Sequence, residues 1–262
     1  MTDPAGDSLV RRLRQDVAAA FMLLTRFPIT WENHSPEAPD LNRSLWAYPV
    51  VGLVIGLVGA LVLAVADRAG LPSVLAVLSA VTVMILATGA FHEDGLADVA
   101  DGFGGGLGRE KKLEIMRDSR IGTYGGLALI ISMGLRVGSL GSLTLFHGVT
   151  AIIGAAMISR LMIIIGLFIL PPARTDSLAA GAGKPKVNSL GAASLITGIF
   201  MVLTLGLPMT LLVSVTAVLA MGIMAVIATR QIGGYTGDVL GAIQQVTEIA
   251  VLMALSAYWS GL

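Results

Sequence analysis

The sequence predicts an all-α fold, a polytopic integral membrane helical bundle of about seven transmembrane helices plus an N-terminal interfacial helix. Three observations lead there. Of the 262 residues, 55% are hydrophobic and only 13% charged, where soluble domains average roughly 25% charged. The deficit comes from apolar stretches of about 18–26 residues, each long enough to cross roughly 30 Å of hydrocarbon as a helix. The basic residues, finally, fall almost entirely in alternate connections between those stretches. With the chain committed to spans there is no room for a separate soluble domain, so residues 1–262 read as one membrane-embedded unit.

The elements follow in order. Arg11, Arg12 and Arg14 lead into the apolar Val17–Leu24. Thr25-Arg26-Phe27-Pro28 comes next, in place of the small-residue site that ends a cleaved signal peptide. Residues 9–28 therefore read as an amphipathic helix at the interface, too short and too charged to span, within an N-terminal segment 1–44. The predicted spans are 45–66, 72–91, 123–140, 146–170, 190–207, 209–229 and 241–260. Pro208 alone separates the fifth from the sixth, which form either a tight hairpin or one long broken segment.

Alternation places 1–44, 92–122, 171–189 and 230–240 on one side of the membrane. Fourteen of the 17 Lys and Arg residues lie there, Arg68 alone lies opposite, and Arg136 and Arg160 fall inside spans. Positive charge marks the cytoplasmic side, so the N-terminus and the long connections are expected inside. Only Asp67 sits in an outer loop, and Glu248 is buried in the last span. The acids and bases together suggest work on cytoplasmic solutes at the membrane. The absence of cysteine excludes disulfides and thiolate metal sites.

The densest feature is His92-Glu93-Asp94-Gly95-Leu96-Ala97-Asp98-Val99-Ala100-Asp101-Gly102, at the start of the connection 92–122. In a helix, Asp94, Asp98 and Asp101 fall at i, i+4 and i+7 and share one face. Three like charges there call for a compensating cation. Hard oxygen ligands favour Mg²⁺ or Mn²⁺, and Mg²⁺ commonly bridges carboxylates to substrate phosphates. Glu93 points off that face and joins such a site only through a bent backbone. A solvated acidic helix end is the alternative, with an N-capping role.

Gly102-Phe103-Gly104-Gly105-Gly106-Leu107-Gly108 follows, either a loop whose amides approach an anion closely or a flexible linker. In the stretch Arg109 to Gly125, Leu113, Met116 and Ile121 suit a short helix pinned to the membrane surface. Arg117 and Arg120, one turn apart, suit a diphosphate. Asp118 either adds a metal ligand or holds an arginine. Lys111 and Lys112 are accounted for by positive-inside anchoring.

Lys184, in the basic stretch Gly181-Ala182-Gly183-Lys184-Pro185-Lys186, either clamps a phosphate or fixes topology. Gly233-Gly234-Tyr235-Thr236-Gly237-Asp238 can bring Thr236 and Asp238 beside the acidic cluster. Arg136, Arg160 and Glu248 are intramembrane charges, costly unless paired, and Glu248 with Arg160 is one conceivable pair. His34 and His147 read as structural.

Taken together, three stretches resemble the cobalamin synthase family, the adenosylcobinamide-GDP ribazoletransferases. They are His92 to Gly102, Leu113-Glu114-Ile115-Met116-Arg117-Asp118-Ser119-Arg120-Ile121-Gly122-Thr123-Tyr124-Gly125, and Gly234-Tyr235-Thr236-Gly237-Asp238-Val239-Leu240-Gly241-Ala242. Thr25-Arg26-Phe27-Pro28 also looks like the family's opening. The resemblance implies attack of α-ribazole, or its phosphate, on the cobinamide-linked phosphorus of adenosylcobinamide-GDP, with release of GMP. It implies Mg²⁺ as cofactor and the cell inner membrane as location. Expected partners are the two substrates and the lipid bilayer, with a homo-oligomer or other cobalamin-assembly enzymes conceivable and no nucleic acid. Asp94, Asp98 and Asp101 are the expected catalytic residues and, with Glu93, the metal ligands. Arg117, Asp118, Arg120, Lys184 and Asp238 are the expected substrate-binding residues.

Two other readings compete. Asp98-Val99-Ala100-Asp101-Gly102 looks like the opening of the CDP-alcohol phosphotransferase motif, but the later aspartates of that pattern do not follow. A transporter would use Arg136, Arg160 and Glu248 along a pathway, yet the acidic motif has no paired repeat in the second half.

Overall fold

The computed structural model describes residues 4–29, 31, 39–174 and 184–261; His34 and Gly181 to Gly183 lie outside them. Every element described is helical, apart from a single bridge between Pro172 and Tyr235. The helices are α1 (Pro4–Leu24), α2 (Tyr48–Arg68, entered through a 3-10 turn Arg43–Ala47), α3 (Ser73–Thr88), α4 (Phe91–Gly105) and α5 (Arg109–Ile115). They continue as α6 (Thr123–Gly141), α7 (Leu145–Ile169), α8 (Val187–Ile232) and α9 (Gly237–Ser260). Among the described residues, the stretch Arg43–Arg68 and helices α6 to α9 are each long and apolar enough to cross a membrane. α3 passes that test only together with α4, from which it is bent by 89°.

The predicted spans fall on these helices with corrected ends. Among the described residues, however, five helices, or six counting the bent pair, are long and apolar enough to cross. The predicted span 72–91 needs α4 to do so, and the fifth and sixth predicted spans lie on the one helix α8. The break between the fifth and sixth falls at Gly206 (φ 73°, ψ 166°), not at Pro208. Pro208 has no amide hydrogen to donate and crowds the turn before it, and Gly206 is the nearest residue free to adopt the left-handed φ that relieves the conflict. The predicted span 72–91 ends early, at Gly89, and the last helix begins at Gly237, ahead of the predicted 241. α1 runs over 4–24, earlier than the predicted 9–28. It is held by Asp16, which accepts from Trp46 Nε1 at 3.0 Å and pairs with Arg43 at 2.5 Å. Leu9, Val10 and Leu13 remain exposed beside the arginines, as an interfacial helix requires.

α7 is the central post, with most of its residues buried. α2 packs against it backbone to backbone. A Cβ at Gly52 would lie 2.3 Å from the Ala156 carbonyl oxygen, and one at Gly56 2.7 Å from Ile153 Cα. Small residues let helices approach this closely where hydrophobic driving force is absent. The far end of the bundle is tied by Ser142 to Ser256 (2.7 Å) and by His147 stacked on Trp259 at 4.3 Å, so His147 is structural as expected. At the near end gather the starts of α2, α4, α6 and α9 and the ends of α1, α7 and α8.

Candidate active site

The site begins at an elbow. Gly89 (φ 65°) and Ala90 (φ 58°) are both left-handed, and the Ala90 amide donates to the Ile85 carbonyl at 2.9 Å. Alanine rarely holds that conformation, so the surroundings must enforce it. The Arg26 amide donates to Ala87 O at 2.7 Å, and a Cβ at Gly89 would lie 2.2 Å from Arg26 Nε. The motif Thr25-Arg26-Phe27-Pro28 is thus fastened to the elbow. From there α4 runs across the starts of α9 and α6, whose positive N-terminal ends favour an acidic helix.

The acidic cluster is split by the 100° turn per residue. Glu93 faces inward: its Oε1 accepts from Arg136 Nη1 and Gln245 Nε2, both at 3.0 Å. Arg136 Nη2 donates to Glu248 at 2.8 Å, and Gln244 bridges Glu248 (2.6 Å) to Ser159 (3.0 Å). Glu93, expected as a metal ligand, has Oε1 committed to this buried network, while its Oε2 is without a partner among the described residues and the residue also lines the cleft of Asp94 and Asp98. One correction follows: Glu248 pairs with Arg136, whereas Arg160 Nη1 donates to its own helix at Ala156 O (2.9 Å).

Asp101, expected as a catalytic residue and metal ligand, has both oxygens engaged by backbone amides. Its two oxygens accept from the amides of Gly122 (2.7 Å) and Gly125 (2.8 Å), at the first turn of α6. Those amides have no partner within their own helix, so Asp101 caps α6 from another helix. A Cβ at Gly125 would lie 2.3 Å from Asp101 Oδ2, which accounts for the glycine. Gly102, Gly104 and Gly106 of the glycine run are likewise taken up by packing. A Cβ at Gly102 would meet Met116 Cγ at 2.5 Å, and one at Gly104 the Tyr124 ring at 2.7 Å. α5 is pinned by Arg109 Nε to Ile232 O (2.9 Å), by Arg109 Nη2 to Ala173 O and by Lys112 to Gln231.

Asp94 and Asp98 remain together, and Asp238 joins them from α9. A Cβ at Gly95 would lie 2.8 Å from the Asp238 backbone, so the two helices touch here. Partial burial, then the charges of Asp94, Asp238 and Asp101 in that order, push the Asp98 carboxyl up to about 7. Asp238 accepts from Thr236 Oγ1 at 3.2 Å and lies 3.7 Å from Arg174 Nη2. Asp94 and Asp98 line a cleft of about 400 Å³ together with Arg117, Asp118 and Arg120. Asp118 holds Arg120 through a fork (Nε to Oδ1 3.0 Å, Nη2 to Oδ2 2.6 Å), the second of its two expected roles. That guanidinium and its backbone amide hold the exposed Asp118 carboxyl down at about 2.

Lys184 does not line this cleft; its side chain is exposed and its carbonyl accepts from Asn42 Nδ2 at 2.7 Å. Among the described residues no three acidic or histidine side chains converge tightly enough to cage a metal. Mg²⁺ needs no such cage, since it keeps several waters and takes one or two carboxylates plus phosphate oxygens. The hard oxygens of Asp94 and Asp98, with the like charge of Asp238 beside them, fit it. Sequence reasoning missed Arg174, which it counted only toward topology, and the inward role of Gln244 and Gln245, which polar residues in an apolar span could have signalled.

The pattern of the family described as cobalamin-5-phosphate synthase matches residues 16–256. The chain is 44% identical to the adenosylcobinamide-GDP ribazoletransferase of Azorhizobium caulinodans, over 94% of this chain and 97% of that one. It is also 44% identical to the one from Bradyrhizobium diazoefficiens, over 98% of each. Identity to the Mesorhizobium japonicum enzyme of the same name is 41%, over 94% of each chain. No solved structure matches.

Proposed function

The chain belongs to the cobalamin-5-phosphate synthase family, and from that premise we propose how its cleft performs the ribazoletransferase reaction. The substrates are adenosylcobinamide-GDP and α-ribazole or its phosphate. The observation that carries the reading is a single cleft lined by Asp94 and Asp98 together with Arg117 and Arg120. A diphosphate fits between a cation held by carboxylates and a pair of guanidiniums.

Phosphoryl transfer is mainly a matter of positioning and charge neutralisation. Asp94 and Asp98 would hold Mg²⁺, which when bound neutralises charge on the diphosphate oxygens. Arg117 and Arg120 orient those oxygens, with Asp118 fixing the plane of Arg120. The ribose hydroxyl oxygen forms a bond to the cobinamide-linked phosphorus as the bond to the bridging oxygen breaks. GMP leaves with that electron pair, and a carboxylate of the cluster takes the hydroxyl proton.

The fourteen-to-one distribution of basic residues supports placing this end of the bundle in the cytoplasm, with the chain in the cell inner membrane. The reading is tested by GMP release from purified protein in nanodiscs given both substrates, with and without Mg²⁺. Mg²⁺-dependent GMP that is lost in Asp94→Ala is the expected result. No GMP from folded protein would overturn the reading. The family match disfavours the CDP-alcohol and transport alternatives, so CDP-choline plus an alcohol should yield no CMP.

A further inference from the structure

A second cavity, lined by Asp238, shares no lining residue with the aspartate cleft. It encloses about 240 Å³ between the ends of α1 and α7 and the starts of α2, α4 and α9. Leu24, Leu45, Tyr48, Phe91 and Leu167 give it an apolar wall. Sites for drug-sized ligands begin at roughly 300 Å³, so this one suits a compact ring system and is far too small for a corrinoid.

An apolar wall alone would serve an acyl chain equally well, but two polar atoms argue for something else. His92, only 2% exposed, lines the cavity with its Nε2 buried and unpartnered among the described residues. Arg174 lines it too, and its Nη1 is also buried without a partner there. Native interiors rarely leave such atoms unpaired, and a hydrocarbon tail could satisfy neither. A ligand with an apolar ring and a few polar atoms satisfies both. Asp238 links the two sites: it lines the cavity, and its charge bears on Asp98, which lines the cleft.

We propose that this cavity seats the base of the acceptor, α-ribazole, a benzimidazole nucleoside. His92 Nε2 bonds a polar atom of the base, and Arg174 Nη1 bonds the ribose or its phosphate. The ribose hydroxyl is then presented at Asp238, facing the phosphorus held in the cleft. The inference rests on the ribazoletransferase reading and adds to it which face of the site each substrate occupies.

Two-substrate kinetics in nanodiscs test it, with Leu41→Trp at the cavity wall and Phe91→Ala, a half-exposed position that can be cut back without loss of the core. The expected result is a rise of about tenfold or more in KM for α-ribazole. KM for adenosylcobinamide-GDP and kcat should change less than twofold. Free benzimidazole should compete with α-ribazole, not with adenosylcobinamide-GDP, and calorimetry should show it binding wild type more tightly than Leu41→Trp. Equal rises in both KM values, or no competition by benzimidazole, would overturn the assignment. So would competition by a short-chain phospholipid in place of benzimidazole. GMP-active protein with an unmoved acceptor KM sinks this inference alone, whereas wild type that releases no GMP sinks the reading beneath it.

Discussion

Glu93 and Asp94 are neighbours in the chain and opposites in the structure. Glu93 turns into a buried network in which Arg136 faces it and Glu248, with Gln244 and Gln245 supplying further hydrogen bonds. Asp94 turns out to a cleft that Asp98, Arg117 and Arg120 also line, with the charge of Asp238 close by. One set of acids is tied to a buried arginine and fixes the fold; the other faces a cleft that a ligand can enter. The difference teaches where function resides in an acidic motif: in the carboxylates turned to the cleft, where partial burial and neighbouring charges push the Asp98 carboxyl up.

The contrast is broken most severely at Arg136. Arg136→Met should leave Glu93 and Glu248 buried without a counter-charge, a loss of about 3–5 kcal/mol for a buried pair deprived of one partner. Thermal unfolding in detergent should show a large drop in midpoint, with activity falling only as folded protein is lost. A variant of unchanged stability would mean that the network does not hold α4 in place.

Asp94→Asn should do the reverse. Activity should fall about 100-fold or more, as removal of a group acting on transition-state charge does, while the unfolding midpoint stays within about a degree of wild type. Were GMP release and Mg²⁺ dependence both intact, Asp94 would have no part in binding the cation.

Asp101 sharpens the comparison, because it lies on the helical face of Asp94 yet behaves like Glu93. Asp101→Asn replaces one acceptor by a donor facing an amide, and should cost about 1–3 kcal/mol of stability. Activity per folded molecule should be far better preserved than in Asp94→Asn. If instead it abolished activity in fully folded protein, the capping role would be incomplete.

These residues also show what could be read in the chain. The span positions followed from hydrophobic length alone, and the helical period correctly set Glu93 apart from Asp94. The period also put Asp101 with Asp94, and there it failed. α4 is long enough to meet α9 near its start and α6 near its end, so one face has two different neighbours along its length. Spacing within a helix says nothing of that. Nor could it bring Asp238, His92 and Arg174 together, since their positions depend on how the ends of distant helices meet. The Thr25-Arg26-Phe27-Pro28 motif was visible, but its seat on the elbow at Gly89 was not. Pro208 signalled the break in α8, and Gly206 absorbed it, because a proline disturbs the turn before it.

The excess charge itself can be titrated. In the absence of divalent cation the folded Asp98 carboxyl stands at about 7, above its ordinary 3.8. The folded state therefore binds more proton than the unfolded one between those values, and linkage makes stability fall as pH rises through that window. The unfolding midpoint of cation-free protein should decline from about pH 4 to pH 7, and Asp98→Asn should flatten the decline. Added Mg²⁺ should restore the midpoint near pH 7, where the carboxylates are charged, and do little near pH 4. A flat profile in cation-free wild type would show that the aspartates are already compensated.

The smallest effect belongs to the exposed fork. Asp118 stands at about 2, below its ordinary 3.8, so the stability it contributes is present above pH 4 and lost as pH falls through 2. The pair lies at the surface, with the Arg120 side chain 87% and that of Asp118 38% exposed, and a surface pair contributes little to folding; the unfolding midpoint of Asp118→Asn should match wild type within error at neutral pH. Its effect should instead fall on substrate: with Arg120 no longer held, KM for adenosylcobinamide-GDP should rise about three- to tenfold while KM for α-ribazole stays put. A rise in both would mean that Arg120 shapes the whole cleft, and a rise in neither would leave Arg117 to hold the diphosphate alone.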